Sequence, residues 1–261
     1  LGDVYKRQLH DMGAVAPGYK ADLAVFDDLR TLNVKQVYKG GKLVAENGKM
    51  LHQKEKNTDW STEIKERVFH SFHRVPITVE ELQLKETTGT HQRVIDMVAH
   101  ELITKERIEE WKELPGVAPG VDISRDIVKL AAIERHKNTG HVGLGFLGKY
   151  GLKKGAVATS IGHDSHNLVI AGVTDEDMVL AGNRVIENGG GLAIALEGKV
   201  LADLPLPIGG LMADEPVEVV DEKLEHMKKL SVELGISEDI DAFMTLAFIS
   251  LPVIPKLRLN T

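Results

Sequence analysis

Residues 162–167, GHDSHN, hold the densest group of chemically versatile side chains in this sequence. They supply two imidazoles, a carboxylate and a carboxamide, from His163, Asp164, His166 and Asn167. Such groups transfer protons, bind metal ions or form paired hydrogen bonds with a ligand. A structural turn needs only Gly, Asn or Asp. A functional loop and a hydrogen-bonded structural corner are therefore both open hypotheses.

The sequence on either side of this loop predicts how it is positioned. Residues 156–161 and 168–171 are apolar and rich in small or β-branched side chains, which is typical of strands. The connection is too short for a crossover helix, so the two strands are predicted to be antiparallel neighbours. A metal site within the loop is disfavoured, because three ligands so close in a tight loop rarely converge on one ion.

Two other motifs predict structure rather than chemistry. A strand-like patch at 68–75 contains HSFH, and a strand would place His70 and His73 on opposite faces, away from a shared metal ion. The glycine-rich segment 140–145, GHVGLG, lacks both the G-x-G-x-x-G spacing and the Lys-Ser/Thr of a phosphate-binding loop. Closely packed backbone in a strand or bulge is the better interpretation of its glycines.

The composition excludes several classes of protein. A formal net charge of −7 argues against non-specific nucleic-acid binding, which needs a basic surface. No apolar run approaches the roughly 20 residues of a membrane-spanning helix, and no signal peptide is recognisable. The absence of cysteine excludes disulfides and thiolate catalysis. We therefore expect a cytoplasmic protein without a nucleic-acid or membrane partner.

The remaining pattern predicts the elements that surround the loop. Short strands are predicted at 22–27, 34–39, 42–46, 94–98, 101–105, 126–136, 190–196 and 199–204. A Thr-x-x-Glu capping box, Thr78 with Glu81, predicts a short helical turn. Longer helices are predicted at 174–188 and 215–234, and a last apolar helix or buried segment at 243–251.

The front of the chain resembles a known superfamily. The segments GAVAPGYKADLAVFDD and VKQVYKGGKLVAENGK are similar to the tail of amidohydrolases, where strands after a (β/α)8 barrel complete a small β-sandwich. The matched positions are Gly13, Pro17, Gly18, Ala21, Asp22 and Leu23. Their role is structural, and we expect Asp22 to accept hydrogen bonds from backbone donors.

The second half, 94–259, resembles the C-terminal domain of bacterial adenine deaminases. The similarity runs through IERHKNTGHVGLGFLGKYGLKKGAVATSIGHDSHN, DEDMVLAGNRVIENGGGLAIALEGKVLADLPLPIGGLMADEP and FMTLAFISLPVIPKLRL. It implies hydrolysis of adenine to hypoxanthine and ammonia, with a binuclear manganese or iron site on a barrel that would precede residue 9. No His-x-His metal-binding pair occurs in this sequence. We expect a fragment, clipped at its C-terminus too, that is inactive alone.

The resemblance implies an α+β fold with four segments. Residues 1–8 are expected to be a foreign leader, 9–52 a β-sandwich segment of an amidohydrolase and 53–90 a connection. Residues 91–261 are expected to form a mixed α/β domain with a mainly antiparallel sheet. A homo-oligomer is compatible with this family.

For the site, we expect a lid over the barrel or a lining for the adenine pocket. The candidates are His163, Asp164, His166 and Asn167, with His141 and Glu134 as weaker members. An interdomain hinge is the structural alternative for the same residues. For the whole chain, two other classes stay open: another metal-dependent amidohydrolase acting on cyclic amides, and a ligand-binding or scaffold module without catalysis.

Overall fold

The computed structural model describes residues 10–51, 60–84 and 89–261. The predicted leader at 1–8 lies outside the described residues. The chain divides into two compact units, Leu1–Asp59 and Trp60–Thr261. This division falls inside the segment 53–90 that the sequence predicts to be a connection.

The first unit contains one four-stranded antiparallel sheet in the order β1-β2-β3-β4. Its strands are β1 Leu23–Phe26, β2 Val34–Lys39, β3 Lys42–Glu46 and β4 Lys49–Met50. Gly40 and Gly41 join β2 to β3, both with positive φ, as a two-residue hairpin turn requires. Asp22 accepts a hydrogen bond from the Gly40 N–H at 2.7 Å, which confirms its predicted role. No described residue of 10–51 is buried.

The second unit is built on an eight-stranded sheet in the order β12-β11-β9-β10-β7-β8-β5-β6. The strands are β5 His91–Met97, β6 Thr104–Glu110, β7 Ile127–Ile133, β8 Val142–Gly148, β9 Ala156–Thr159, β10 Leu168–Gly172, β11 Gly191–Leu196 and β12 Lys199–Pro205. Among these described strands, β5 and β8 pair in parallel and every other neighbouring pair is antiparallel. The predicted α+β fold with a mainly antiparallel sheet is confirmed.

Helices cover both faces of this sheet. They are α1 Thr62–Phe69, α2 Asp175–Glu187, α3 Val217–Glu233 and α4 Ala242–Ile249, with 3-10 turns at Glu80–Leu82 and Ile123–Arg125. One core cluster joins α2 to the sheet through residues such as Met178 and Ile170. The other joins α3 and α4 to the opposite face through Met227 and Phe243. All seven residues of the central strand β7 are consequently buried.

Two predicted elements were wrong. The strand-like patch at 68–75 is instead the end of α1 followed by irregular backbone. The Ser61 side chain accepts a hydrogen bond from the Ile64 N–H at 3.3 Å and begins the helix, which outweighs the strand preference of the aromatic and β-branched residues. The strand predicted at 101–105 lies at Thr104–Glu110, a highly charged strand at the sheet edge.

Candidate active-site loop

The loop 162–167 connects β9 and β10, which are antiparallel neighbours with Val169 opposite Thr159. This confirms the predicted strand–connection–strand arrangement. Asp164 and His166 have φ of 62° and 50°, in the left-handed region that side-chain-bearing residues seldom occupy. The His166 N–H donates to the Gly162 carbonyl at 2.7 Å, which closes the turn. The chain thus bends tightly here and turns several polar side chains outward.

His163 and Asp164 are the exposed members of the loop. Their side chains are 49% and 64% exposed, with 3.0 Å between His163 Nδ1 and Asp164 Oδ1. The imidazole of His163 stacks on the ring of Phe248 in α4, with ring centres 5.2 Å apart and 24° between the planes. Phe248 also lines a cleft of about 220 Å³ that Met97 and Arg258 help to form. The polar loop therefore borders a concave surface.

His166 is partly buried, and its environment disfavours the charged imidazolium. Burial lowers the pKa of His166 below its usual 6.5, and the positive charges of Arg135 and His136 lower it further, while Asp164 opposes them. These surroundings consequently favour the neutral form of the imidazole. A neutral imidazole offers one N–H donor and one nitrogen acceptor to a ligand.

Asn167 is buried, and its carboxamide is used within the protein. Its Nδ2 donates to Asn260 Oδ1 at 3.1 Å and to Thr261 Oγ1 at 3.2 Å. The same terminal segment lies against β8, where a Cβ atom added to Gly143 would come within 2.2 Å of the Asn260 carbonyl oxygen. This confirms the interpretation of the glycines in 140–145 as a site of close backbone approach.

Glu134 shapes the turn that follows β7. Its carboxylate accepts hydrogen bonds from the backbone N–H groups of His136, Lys137 and Thr139 and from the Thr139 hydroxyl. Burial raises the pKa of Glu134, but these hydrogen bonds outweigh it and lower the pKa from 4.5 to about 2. The carboxylate is therefore ionised and occupied in a structural role.

His141 is exposed at the other end of this turn. Its carbonyl oxygen accepts the Glu134 N–H at 3.1 Å, and its own N–H donates to the Thr139 hydroxyl at 3.4 Å. The structure therefore brings His141 and Glu134 together in the turn 134–141. A role in a pocket for any of the six candidate residues stays a prediction.

Arg135 is the residue of this region that sequence reasoning missed. It is 1% exposed, and its guanidinium donates to the carbonyl oxygens of His166 at 2.5 Å, Gly209 at 3.1 Å and Ser71 at 3.5 Å. Its charged group also lies 4.8 Å from the centre of the Phe72 ring. The signal in the sequence was the polar triplet Glu134-Arg135-His136 directly after a buried, largely apolar strand.

A second buried cation was also missed. Lys129 lies in the middle of β7 and is 1% exposed. Its Nζ donates to Asp175 Oδ1 at 2.6 Å, at the first turn of α2. This pair ties the helix to the centre of the sheet, away from the loop.

The described residues do not fit a metal site. Within 10–51, 60–84 and 89–261 no group of three or more His, Cys, Asp or Glu side chains could hold a metal ion. His70 and His73, for which the sequence does not predict a shared metal site, line an open cleft together with His136 and Glu66. His70 Nδ1 is 2.7 Å from Glu66 Oε2.

In the same described ranges, no helix is both long and apolar enough to cross a membrane.

Comparison with known proteins identifies the family. The model of the adenine deaminase C-terminal domain matches residues 101–261. The chain belongs to this family. It is 44% identical over 254 residues to adenine deaminase 2 of Carboxydothermus hydrogenoformans, and 41% identical over 254 residues to adenine deaminase of Lysinibacillus sphaericus. Each alignment covers 97% of this chain but only 43% and 42% of the relative, so the chain spans less than half the length of these curated relatives.

Proposed function

We propose that the protein containing this chain hydrolyses adenine to hypoxanthine and ammonia. The observation that carries the proposal is the family match over 101–261, together with relatives named adenine deaminase that align with 97% of the chain. A place in purine salvage in the cytoplasm belongs to the same proposal, because the reaction converts one free purine base into another.

We assign the hydrolytic metal site to a part of the protein outside the described residues. A pair of manganese or iron ions is the expected cofactor of the full-length protein. The described residues offer no group able to hold such an ion. We therefore assign to this chain the role of binding or orienting the substrate.

The loop 162–167 supports a substrate-binding role for this domain. His163 and Asp164 are exposed, and His166 offers a neutral imidazole beside them. A planar purine edge presents hydrogen-bond donors and acceptors side by side, which suits a carboxylate next to a neutral imidazole. Asn167 and Glu134 contribute by holding this loop and its neighbouring turn. We place the loop at the mouth of the pocket, as a lid or lining.

The test is to express the whole gene and measure ammonia release from adenine with manganese or iron added. The wild-type protein is expected to release ammonia from adenine, whereas activity on cyclic amides alone would indicate a different amidohydrolase. A folded, metal-loaded protein inactive on both substrates would support a scaffold or binding module.

The role of the loop is tested separately, with His166→Ala and Asp164→Ala. Each is expected to lower kcat/KM for adenine at least about tenfold, the range that one positioned hydrogen bond to a substrate supplies. His226→Ala is the matched control, because His226 is an exposed imidazole on α3, away from the loop. Unchanged kcat/KM in both loop variants would refute the substrate-binding role and leave the deaminase assignment intact.

A further inference from the structure

Three consecutive residues after β7, Glu134 to His136, stabilise the loop 162–167 through hydrogen bonds. Glu134 fixes the turn through its four hydrogen bonds. From that turn, Arg135 Nε donates to the His166 carbonyl at 2.5 Å. His136 Nε2 lies 2.8 Å from the Ser165 carbonyl, one residue earlier in the loop. Two successive carbonyl groups of the loop are thus bound by two successive side chains of the turn.

It is unusual for a loop to be stabilised by a residue such as Arg135, because this arrangement buries a full positive charge. The ion pairs of the described residues do not include Arg135, and the neighbouring Glu134 carboxylate, which is hydrogen-bonded within its own turn, acts on it only through its charge. Burial lowers the pKa of Arg135 from 12.5 to about 10, partly offset by the charge of Glu134. Burying a cation without a paired anion is costly. The arrangement is therefore poorly explained by stability alone.

The guanidinium joins three segments that are far apart in sequence. It binds Ser71 before the sheet, His166 in the loop and Gly209 after β12. The backbone at Gly210 has φ of 72°, and a Cβ atom there would come within 2.7 Å of Arg135 Nη1. A glycine at this position therefore makes room for the cation. Each of the three carbonyl groups is bound by a different nitrogen of the planar guanidinium, so that the donors reach in three directions from one side chain.

We infer that Arg135 is a positioning residue, which fixes the backbone from which His163, Asp164 and His166 present their side chains to adenine. This inference rests on the proposed function. Arg135 acts through the His166 carbonyl and does not touch the substrate. His166 has φ of 50°, so the conformation that Arg135 stabilises is one that the loop would seldom adopt alone.

The test compares Arg135→Lys and Arg135→Gln in the protein expressed from the whole gene. Lysine keeps the charge but has one nitrogen on a flexible stem, so it cannot bind carbonyl groups of three segments in the same geometry. Both variants are expected to lower kcat/KM for adenine at least about tenfold, measured where circular dichroism shows them folded. If Arg135→Gln does not fold, the lysine variant decides the kinetic test.

The control is Lys129→Met, which removes the other buried cation of β7. It is expected to lose stability but to keep kcat/KM per folded molecule. Wild-type kcat/KM in the lysine variant would overturn the inference. So would an equal loss of kcat/KM in Lys129→Met, because the effect would then reflect destabilisation of the sheet.

A readout without activity separates this inference from the proposed function. In the protein expressed from the whole gene, amide hydrogen exchange at 162–167 is expected to accelerate in both Arg135 variants. In NMR titrations, the pKa of His166 is expected to rise in Arg135→Gln, because the substitution removes a positive charge that lowers it. The charged or titratable groups that face this imidazole are Arg135, His136, Asp164 and His163. Unchanged exchange would overturn the inference. If the wild-type protein released no ammonia from adenine, the proposed function would fail while these measurements still tested the loop.

Discussion

The turn held by Glu134 makes stability depend on pH in a calculable way. The pKa of Glu134 falls from 4.5 to about 2, since its hydrogen bonds outweigh the opposing effect of burial. At about 1.36 kcal/mol per pKa unit this corresponds to about 3 kcal/mol. Glu134 is only half-buried, so solvent screening reduces the expected contribution to about 1–2 kcal/mol. Glu134→Gln, which cannot carry the charge, is expected to be less stable by that amount at pH 7.

The direction of the pH dependence follows from the lowered pKa. The stabilisation is fully present above 4.5, the value for the unfolded chain, and is lost as pH falls towards about 2. The assay is urea unfolding of wild type and Glu134→Gln between pH 7 and pH 3. The difference in free energy of unfolding is expected to shrink by roughly 60% over this range, because a carboxyl group with a folded pKa of about 2 keeps only roughly 40% of its contribution at pH 3. Other carboxyl groups titrate alike in both proteins and cancel in the difference.

A second substitution checks that the hydrogen bonds are responsible. Thr139→Val removes the hydroxyl that donates to Glu134 Oε2 at 2.9 Å. Its cost is expected to be smaller in the Glu134→Gln background, because the two changes disrupt the same interaction. A difference between wild type and Glu134→Gln that stayed constant from pH 7 to pH 3 would refute the assigned role of this carboxylate.

Three further outcomes follow from contacts around the loop and the sheet. Lys129→Met leaves Asp175 as a buried, unpaired carboxylate, and is expected to lower the free energy of unfolding by about 3–5 kcal/mol in urea titration. Asn167→Ala removes two hydrogen bonds and is expected to cost about 1–2 kcal/mol, with faster amide exchange at 257–261 than elsewhere. Gly143→Ala would bring a Cβ atom within 2.2 Å of the Asn260 carbonyl oxygen, and a loss of about 1–3 kcal/mol is expected by thermal unfolding.

Local features of the sequence predicted local structure well. Thr174 was expected to begin a helix, and its hydroxyl accepts the Asp177 N–H at 3.3 Å at the start of α2. The strands predicted at 190–196 and 199–204 and the antiparallel strands around 162–167 were also confirmed. In each case the deciding interactions lie within a few residues of one another, so that residue types alone specify them.

Contacts between residues far apart in the sequence could not be predicted from the sequence. The sequence gives no sign that β5 pairs in parallel with β8, nor which strands lie at the sheet edges. The partners of Arg135 are separated from it by 31, 64 and 74 residues, and packing of the whole domain brings them together. Lys129 is a second example, because its charge in a largely apolar strand is explained only by its long-range hydrogen bond to Asp175. The sequence therefore showed the likeness of the loop to a known family, but not that Arg135 supports it.

The contact between Asn167 and Asn260 also sets an order of events during synthesis. The two residues are 93 positions apart, so the loop leaves the ribosome long before the segment that its carboxamide binds. At about 5–20 residues per second, the interval is roughly 5 to 20 s. Through this time β9 and β10 can pair while the Asn167 side chain still lacks its final partners. The Asn167 side chain therefore gains these partners only when residues 257–261 emerge and pack against the glycines of β8.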